Sequence, residues 1–343
     1  MKRYVILSLT VLVICSCTGG GSHRGRNRFV VEVMRRTTPV KDQGRSSSCW
    51  AYAMLSMIES EHLSQGDSVN LSEAYIERRR QEDEFSRLYF SSRHRAVVTR
   101  GTGKTLLNAL QRYGAYPYDS YPGIQGNNED EVTRRMENLA MRHPTYSRAK
   151  MLLSDILDSS YGPLPRNVYM LGAEYTPLEF AHSVCRKNEY SALTSYTHHP
   201  FGVRFDLEIP DNWEHDLYIN MPIDRLEGYV LKSLRTGHSA VWEGDISNHG
   251  FSFRGGVAKL VDSERVTQSM RQHEFESLGV TDDHAMHIVG LAHDGNGERY
   301  FILKNSWGTG NVYGGYMFMS EGYFRLNTVM VFLPSVVIKD YKI

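Results

Sequence analysis

The chain opens on a short, uncharged and mostly apolar run: residues 4–14 (YVILSLTVLVI) follow a basic Lys2-Arg3. The run is too short to serve as a permanent membrane span and has the length of a signal-peptide core. From Cys49 the pattern changes. Ala53, Met54, Met57 and Ile58 recur at three- and four-residue spacing, which predicts a helix beginning at the cysteine. Leu71-Ser72-Glu73 predicts the start of a second helix with Ser72 as its cap, and residues 105–113 a third, stopped at Gly114. Pro117, Pro122 and Gly123 make a turn-rich exit. Residues 129–160 are charged and helical in pattern, as in a surface segment or insertion. Residues 169–213 are mixed, with Pro177, Pro200 and Pro210 as breakers, and residues 223–234 read as helix again.

The remainder is β-rich. Residues 239–242, 286–291, 300–303, 316–319 and 329–333 are short apolar runs set between glycines and charges. A helical first part and a sheet-rich last part predict an α+β protein of two lobes, with no internal repeat. The 343 residues, 41% of them hydrophobic, suffice for a sizeable core. Lys+Arg equals Asp+Glu at 39 each, so no global field favours nucleic acid, which is not an expected partner.

Small residues around Cys15 and Cys17, followed by Thr18-Gly19-Gly20-Gly21, resemble a bacterial lipoprotein signal, with cleavage before Cys17 and lipidation of its thiol. A plain secretory signal is the alternative. The expected organisation is a signal peptide over 1–17, a flexible tether over 18–28 and one folded domain over 29–343. The expected location is outside the cytoplasm, anchored by lipid to a membrane of the bacterial cell envelope. Only Cys49 and Cys185 remain beyond that segment, too few for a disulfide scaffold. Cys185 ends an apolar helical stretch and reads as a packed core thiol.

Chemistry gathers in three clusters. In Gln43-Gly44-Arg45-Ser46-Ser47-Ser48-Cys49-Trp50-Ala51 the cysteine opens a helix, where the dipole favours a thiolate. Its backbone N–H and the Gln43 amide can both face a developing oxyanion. Asp282-Asp283-His284-Ala285 supplies an imidazole to exchange protons with that thiol, and Lys304-Asn305-Ser306-Trp307-Gly308 supplies an amide oxygen to orient the imidazole. The indole of Trp307 is placed to shield that hydrogen bond.

These three motifs, in this order, resemble papain-like cysteine peptidases. The resemblance implies Gln43 as oxyanion donor, Cys49 as nucleophile, His284 as general acid/base and Asn305 as its orienter. It also implies a helical left lobe and a β-barrel-like right lobe, peptides as substrates, and no metal or cofactor. Gly101 and Gly103 are candidates for a ledge that hydrogen-bonds the substrate, and Asp283 and Trp307 for further substrate contacts. An ordinary turn before a helix is the competing reading of the two glycines.

Papain-type enzymes usually show Cys-Gly-Ser-Cys-Trp, and here Ser46 stands at the first position, so the disulfide of that site is missing. Cys49 and His284 lie 235 positions apart (284 − 49), against ~130–150 in papain, which implies a helical insertion at about 125–215. Segments such as Tyr175-Thr176-Pro177-Leu178-Glu179-Phe180, Leu207-Glu208-Ile209-Pro210-Asp211-Asn212-Trp213 and Ala240-Val241-Trp242-Glu243-Gly244-Asp245 resemble the bleomycin hydrolase and aminopeptidase C branch. That branch implies an aminopeptidase and a homo-oligomer, both tied to a C-terminal tail lying in the cleft. Only residues 306–343 follow Asn305, so a long blocking tail is expected to be missing, and peptidase chemistry is the firmer implication. An endopeptidase with an open cleft and a non-catalytic peptide-binding protein stay open as alternatives.

Other features read more plainly. His287, three residues after His284 on an expected strand, points to the opposite face and is a packed or surface residue. His198-His199 lacks a third ligand at suitable spacing and is structural. Residues 101–105 imitate the end of a phosphate-binding loop, but position 98 is Val where that loop needs Gly. Arg78-Arg79-Arg80 reads as a solvated helix face.

Overall fold

Helix α1 (Cys49–Gln65) is buried on nearly every side, from Trp50 through Glu61. The sequence predicts one apolar stripe; the structure, a computed structural model, gives an all-round interior helix. It describes residues 29–341 except 92–96, 125, 171 and 262–264, so the signal segment, the tether and Cys17 lie outside the described residues. The acids on α1 are buried because each is matched. Glu59 takes Lys41 Nζ at 3.2 Å and the Leu71 N–H at 2.8 Å, and it also bonds Thr38. Glu61 accepts the Ser239 N–H at 3.0 Å and bonds His238 at 2.6 Å.

On one side of α1 lie α2 (Glu73–Phe90) and α3 (Gly103–Tyr113). Ser72 caps α2 as the sequence predicts, accepting from the Tyr75 N–H at 3.1 Å. Helices α4 (Glu129–Arg142) and α5 (Tyr146–Tyr161) pack on each other and on α2. The arginine run of α2 is not a solvated face. Arg78 bonds Asp158 at 2.7 Å and the Gly162 carbonyl at 2.7 Å, and Arg80 bonds Glu84 at 2.7 Å, so two of the three are buried with partners. After α5 come α6 (Pro177–Val184), α7 (Ile223–Arg235), α8 (Gln268–Glu276) and α9 (Glu321–Asn327).

The strands are β1 (Val30–Met34), β2 (Val168–Met170), β3 (Ala173–Tyr175), β4 (Tyr190–Thr194), β5 (Arg204–Asp206), β6 (Leu217–Asn220) and β7 (Ala240–Gly244). They continue with β8 (Phe251–Ser252), β9 (Val257–Ala258), β10 (His284–His293), β11 (Arg299–Lys304), β12 (Tyr316–Ser320) and β13 (Thr328–Pro334). Strands β2 and β3 form a separate hairpin. The others make one sheet in the order β5-β6-β4-β13-β7-β10-β11-β12-β9-β8, with β1 added on β10. The protein is thus α+β, but the expected β-barrel-like lobe is an open sheet. Its terminal strands, three and two residues long, lie at opposite ends of the pairing order and do not meet. The segment expected as a helical insertion is helical to Tyr161 and then changes character, since β4 lies inside the main sheet.

Helix α1 packs against β10 and β7, so the helical and sheet parts share it. No helix among the described residues is long and apolar enough to cross a membrane. Glu59→Ala leaves the buried Leu71 N–H and Thr38 hydroxyl without their acceptor, while Lys41 keeps Glu73 at 2.6 Å, and is expected to lower stability by about 1–3 kcal/mol. Urea denaturation of the full chain measures it; a loss below about 1 kcal/mol would show that this network does not join the two parts.

Candidate active site

Cys49 is the first residue of α1 and is half-buried. The loop before it is held from two directions. Gly44, with φ of +59°, turns the chain, and its N–H donates to Asp42 at 2.9 Å. The N–H and hydroxyl of Ser47 donate to one oxygen of Glu129, at 2.7 and 3.0 Å. Glu129 is the first residue of α4, so the helical segment touches the loop before Cys49 directly.

His284 opens β10, and Asn305 follows β11 at once. The antiparallel register of these strands, with His287 opposite Lys304, brings the two together. His284 Nε2 lies 2.9 Å from Asn305 Oδ1. That oxygen also accepts the Ser306 N–H at 2.7 Å, which fixes the amide with its oxygen toward the ring. The imidazole therefore donates from Nε2 and leaves Nδ1 free. Trp307 lies over the imidazole with ring centroids 4.5 Å apart, itself packed edge-on by Phe251 and Phe253. The thiol of Cys49 takes a hydrogen bond from the backbone of Ala285, the residue next to His284.

Gln43 reaches the same cleft. Its N–H donates to the Ser306 carbonyl at 2.8 Å, its Oε1 accepts the Ser306 hydroxyl at 2.5 Å, and its Nε2 donates to the Ser46 carbonyl at 2.7 Å. The cleft, about 190 Å³, is walled by Gln43, Cys49, Gly101, Asp283, His284 and Trp307 among others. Gly103 is not in that wall. Its N–H donates to Glu243 at 2.8 Å, and a Cβ on it would stand 2.9 Å from the Phe332 ring. It serves as the first residue of α3 with no N–H left for a substrate.

Electrostatics correct one expectation. The helix start, through the Trp50 N–H, and Arg100 both favour the thiolate. Burial outweighs them and, with the Glu243 carboxylate, pushes the Cys49 thiol up to about 12. Burial likewise takes His284 down to about 4, although Asn305 pulls the other way. Each group by itself is held neutral. Both line one cleft, and a proton passed from Sγ to Nδ1 there would create two opposite charges that favour one another.

Four charged residues of this wall carry no assigned role in the sequence reading: Arg100, Asp211, Glu243 and Asp282. Asp211 and Glu243 fall within family-like segments and could have been singled out there. Glu129 carried no signal, lying 82 positions from the serine that it holds.

The remaining candidates lie elsewhere. Cys185 is buried, and burial raises its thiol to about 12, as suits a core thiol. His287 is buried, with Nδ1 2.9 Å from the Ser56 hydroxyl. His198 and His199 do have a third neighbour, Glu208, their ligand atoms all within 4.8 Å. The Thr197 N–H donates to Gln272 Oε1 at 2.6 Å, which turns the Gln272 amide nitrogen toward His198 Nδ1 at 3.0 Å. His198 is then the Nε2–H tautomer, donating to Glu208 at 3.1 Å, and offers no lone pair there for a metal.

A family profile described as the peptidase C1-like family matches residues 166–341, slightly more than half of the chain. The chain belongs to the peptidase C1-like family. The matched half holds His284 and Asn305, with Cys49 and Gln43 outside it. Aminopeptidase G of Lactobacillus delbrueckii subsp. lactis is 28% identical over 168 residues, covering 46% of this chain and 38% of that protein. Bleomycin hydrolase of Mus musculus is 22% identical, over 83% of this chain and 78% of that protein. The matched region thus spans well under half the length of the aminopeptidase. The crystal structure of PepW from Lactobacillus rhamnosis shares the fold at a TM-score of 0.70 and 16% identity, covering 91% of this chain and 85% of that one.

In this peptidase C1-like chain, removal of the imidazole leaves a thiol that burial keeps protonated. His284→Ala is expected to slow alkylation of Cys49 by iodoacetamide at pH 7 by about 10²–10⁴-fold, read by mass spectrometry of the Cys49 peptide. With the thiol at about 12, the rate in that variant climbs about tenfold per pH unit through pH 10. An early plateau would mean that the helix start alone makes the thiolate.

Proposed function

We propose that the chain is a cysteine peptidase in which Cys49, His284, Asn305 and Gln43 carry the reaction. The observation that supports it most is the 2.9 Å contact between His284 and Asn305, which leaves Nδ1 free next to the residue whose backbone touches the thiol. Nδ1 takes the Sγ proton as sulfur bonds to the peptide carbonyl carbon. The oxyanion is met by the Cys49 N–H and by Gln43 Nε2. The C–N bond breaks, and imidazolium returns the proton to the leaving amine, leaving a thioester. Water then attacks while His284 takes its proton, and the sulfur departs and recovers that proton. The reaction routes every proton through Cys49, His284 and water and needs no metal or organic cofactor. Asn305 keeps the ring in the productive tautomer, and Trp307 covers its hydrogen bond.

Aminopeptidase specificity is the preferred form of this activity, supported by relatives that are themselves called aminopeptidases. Fluorogenic peptides with free and with blocked N-termini test it on the full chain. Turnover of free-amine substrates, lost by at least about 10⁴-fold in Cys49→Ala, is the expected result. Cleavage of blocked peptides makes it an endopeptidase instead, and no Cys49-dependent turnover of either leaves a peptide-binding protein.

We also propose that the chain is exported and anchored through a lipid on Cys17, which the basic start, the apolar run at 4–14 and the small residues around the cysteine support. In cells fed labelled palmitate, wild-type protein should take up label and sediment with membranes, and Cys17→Ala should do neither. Label retained in that variant would discard the anchor.

A further inference from the structure

Carboxylates outnumber cations on the cleft wall. Asp211, Glu243, Asp282 and Asp283 line it, and Arg100 is the sole lysine or arginine among its lining residues. Arg100 is already committed: its Nε reaches both oxygens of Asp211, at 2.7 and 3.0 Å, and an Nη donates to the backbone carbonyl of Asp282. Asp283 accepts the Ile246 N–H at 2.9 Å. Glu243 accepts the Gly103 N–H through one oxygen. Asp282 is left. Its residue is 8% exposed, and among the described residues no other side chain donates to its carboxylate. Glu243 is 3% exposed, and among the described residues no lysine, arginine or histidine bonds it. Arg100 acts on Asp282 through its charge alone, without a hydrogen bond to the carboxylate. Two carboxyls lining one cleft, out of bulk water and with no cation bonded to either, are costly unless something else brings the charge.

The geometry points to an organic cation. Among the described residues the group of three placed to hold a metal ion is His198, His199 and Glu208, and none of these acids belongs to it. Glu243 pairs with Ala285 across β7 and β10, and the backbone of Ala285 touches the Cys49 thiol. A cation held there sits close to the carbonyl under attack. We propose that Asp282 and Glu243 form a subsite that takes an ammonium or guanidinium group of the substrate beside the scissile bond. The subsite rests on the reading of this cleft as a peptidase site, and it deepens that reading by naming the substrate class.

Two facts of the site agree with it. Burial and the neighbouring Asp211 raise Asp282 to about 7, and burial raises Glu243 well above the usual carboxylate range. These shifts reflect a missing positive charge and relax when one enters. Glu243 also contributes to the raised thiol of Cys49, so a cation bound to Glu243 eases formation of the thiolate beside it.

Binding and turnover separate this inference from the peptidase reading. Full-chain Cys49→Ala protein is titrated by calorimetry with four peptides: a neutral peptide with a free amine, its acetylated form, and two acetylated peptides carrying arginine or the neutral isostere citrulline. The expected result is binding about ten- to a hundredfold tighter for a cationic member than for its neutral counterpart. The free-amine arm and the arginine arm tell whether an α-ammonium or a side chain fills the subsite. Added Asp282→Asn or Glu243→Gln should bring the ratio toward one; glutamine still accepts the Gly103 N–H. Equal affinity within both pairs overturns the subsite without recourse to any variant, as does a preference that survives both substitutions. Cation preference without wild-type turnover keeps the subsite and rejects the peptidase, while turnover without preference does the reverse.

Discussion

Everything in this molecule leans on a helix that has no solvent face along most of its length. Burying α1 removes Glu59 and Glu61 from water, and each is therefore tied to groups on other elements. Lys41 and Leu71 come from the helical side, and Ser239 and His238 from the turn that leads into β7, a central strand of the sheet. An amphipathic helix could slide or tilt on its single face. This one is fixed around its circumference, and so is the cysteine at its start.

The sheet fixes the other half of the site by register. A slip of one residue between β10 and β11 would turn His284 to the wrong face and move Asn305 away from it. Side chains do the final adjustment: the Ser306 N–H orients the Asn305 amide, and that amide selects the imidazole tautomer. Dryness is the cost of this precision. The interior that aligns the thiol and the imidazole also holds each in its uncharged form, so the pair must act together.

The three motifs around Cys49, His284 and Asn305 were legible because their chemistry is local: a residue type, a turn and a helix or strand start. The helices at Cys49, Ser72 and residues 223–234 and the last four strands follow from periodicity and stop signals in the same way. Legibility fails where partners come from far along the chain. Arg78 and Arg80 looked solvated because Asp158 and Gly162, like the depth of α2, are invisible in the run itself. Gly103 looked open to a substrate because Glu243, 140 positions away, already holds its N–H. The barrel-like lobe was an inference from likeness, and the pairing order of the strands decides that matter in three dimensions.

The serine loop ahead of Cys49 shows how a covalent fastening can be replaced. Where related enzymes usually place a cysteine, Ser46 stands, and the adjoining Ser47 hangs by two hydrogen bonds from Glu129. A thiol nucleophile works only while it is reduced, and reductant also opens disulfides. Here the support of Cys49, the proposed nucleophile, has no redox chemistry of its own, so conditions that keep the sulfur reduced leave its scaffold untouched. What holds the loop instead is a carboxylate from the start of α4, so the loop keeps its shape only while that helix is docked.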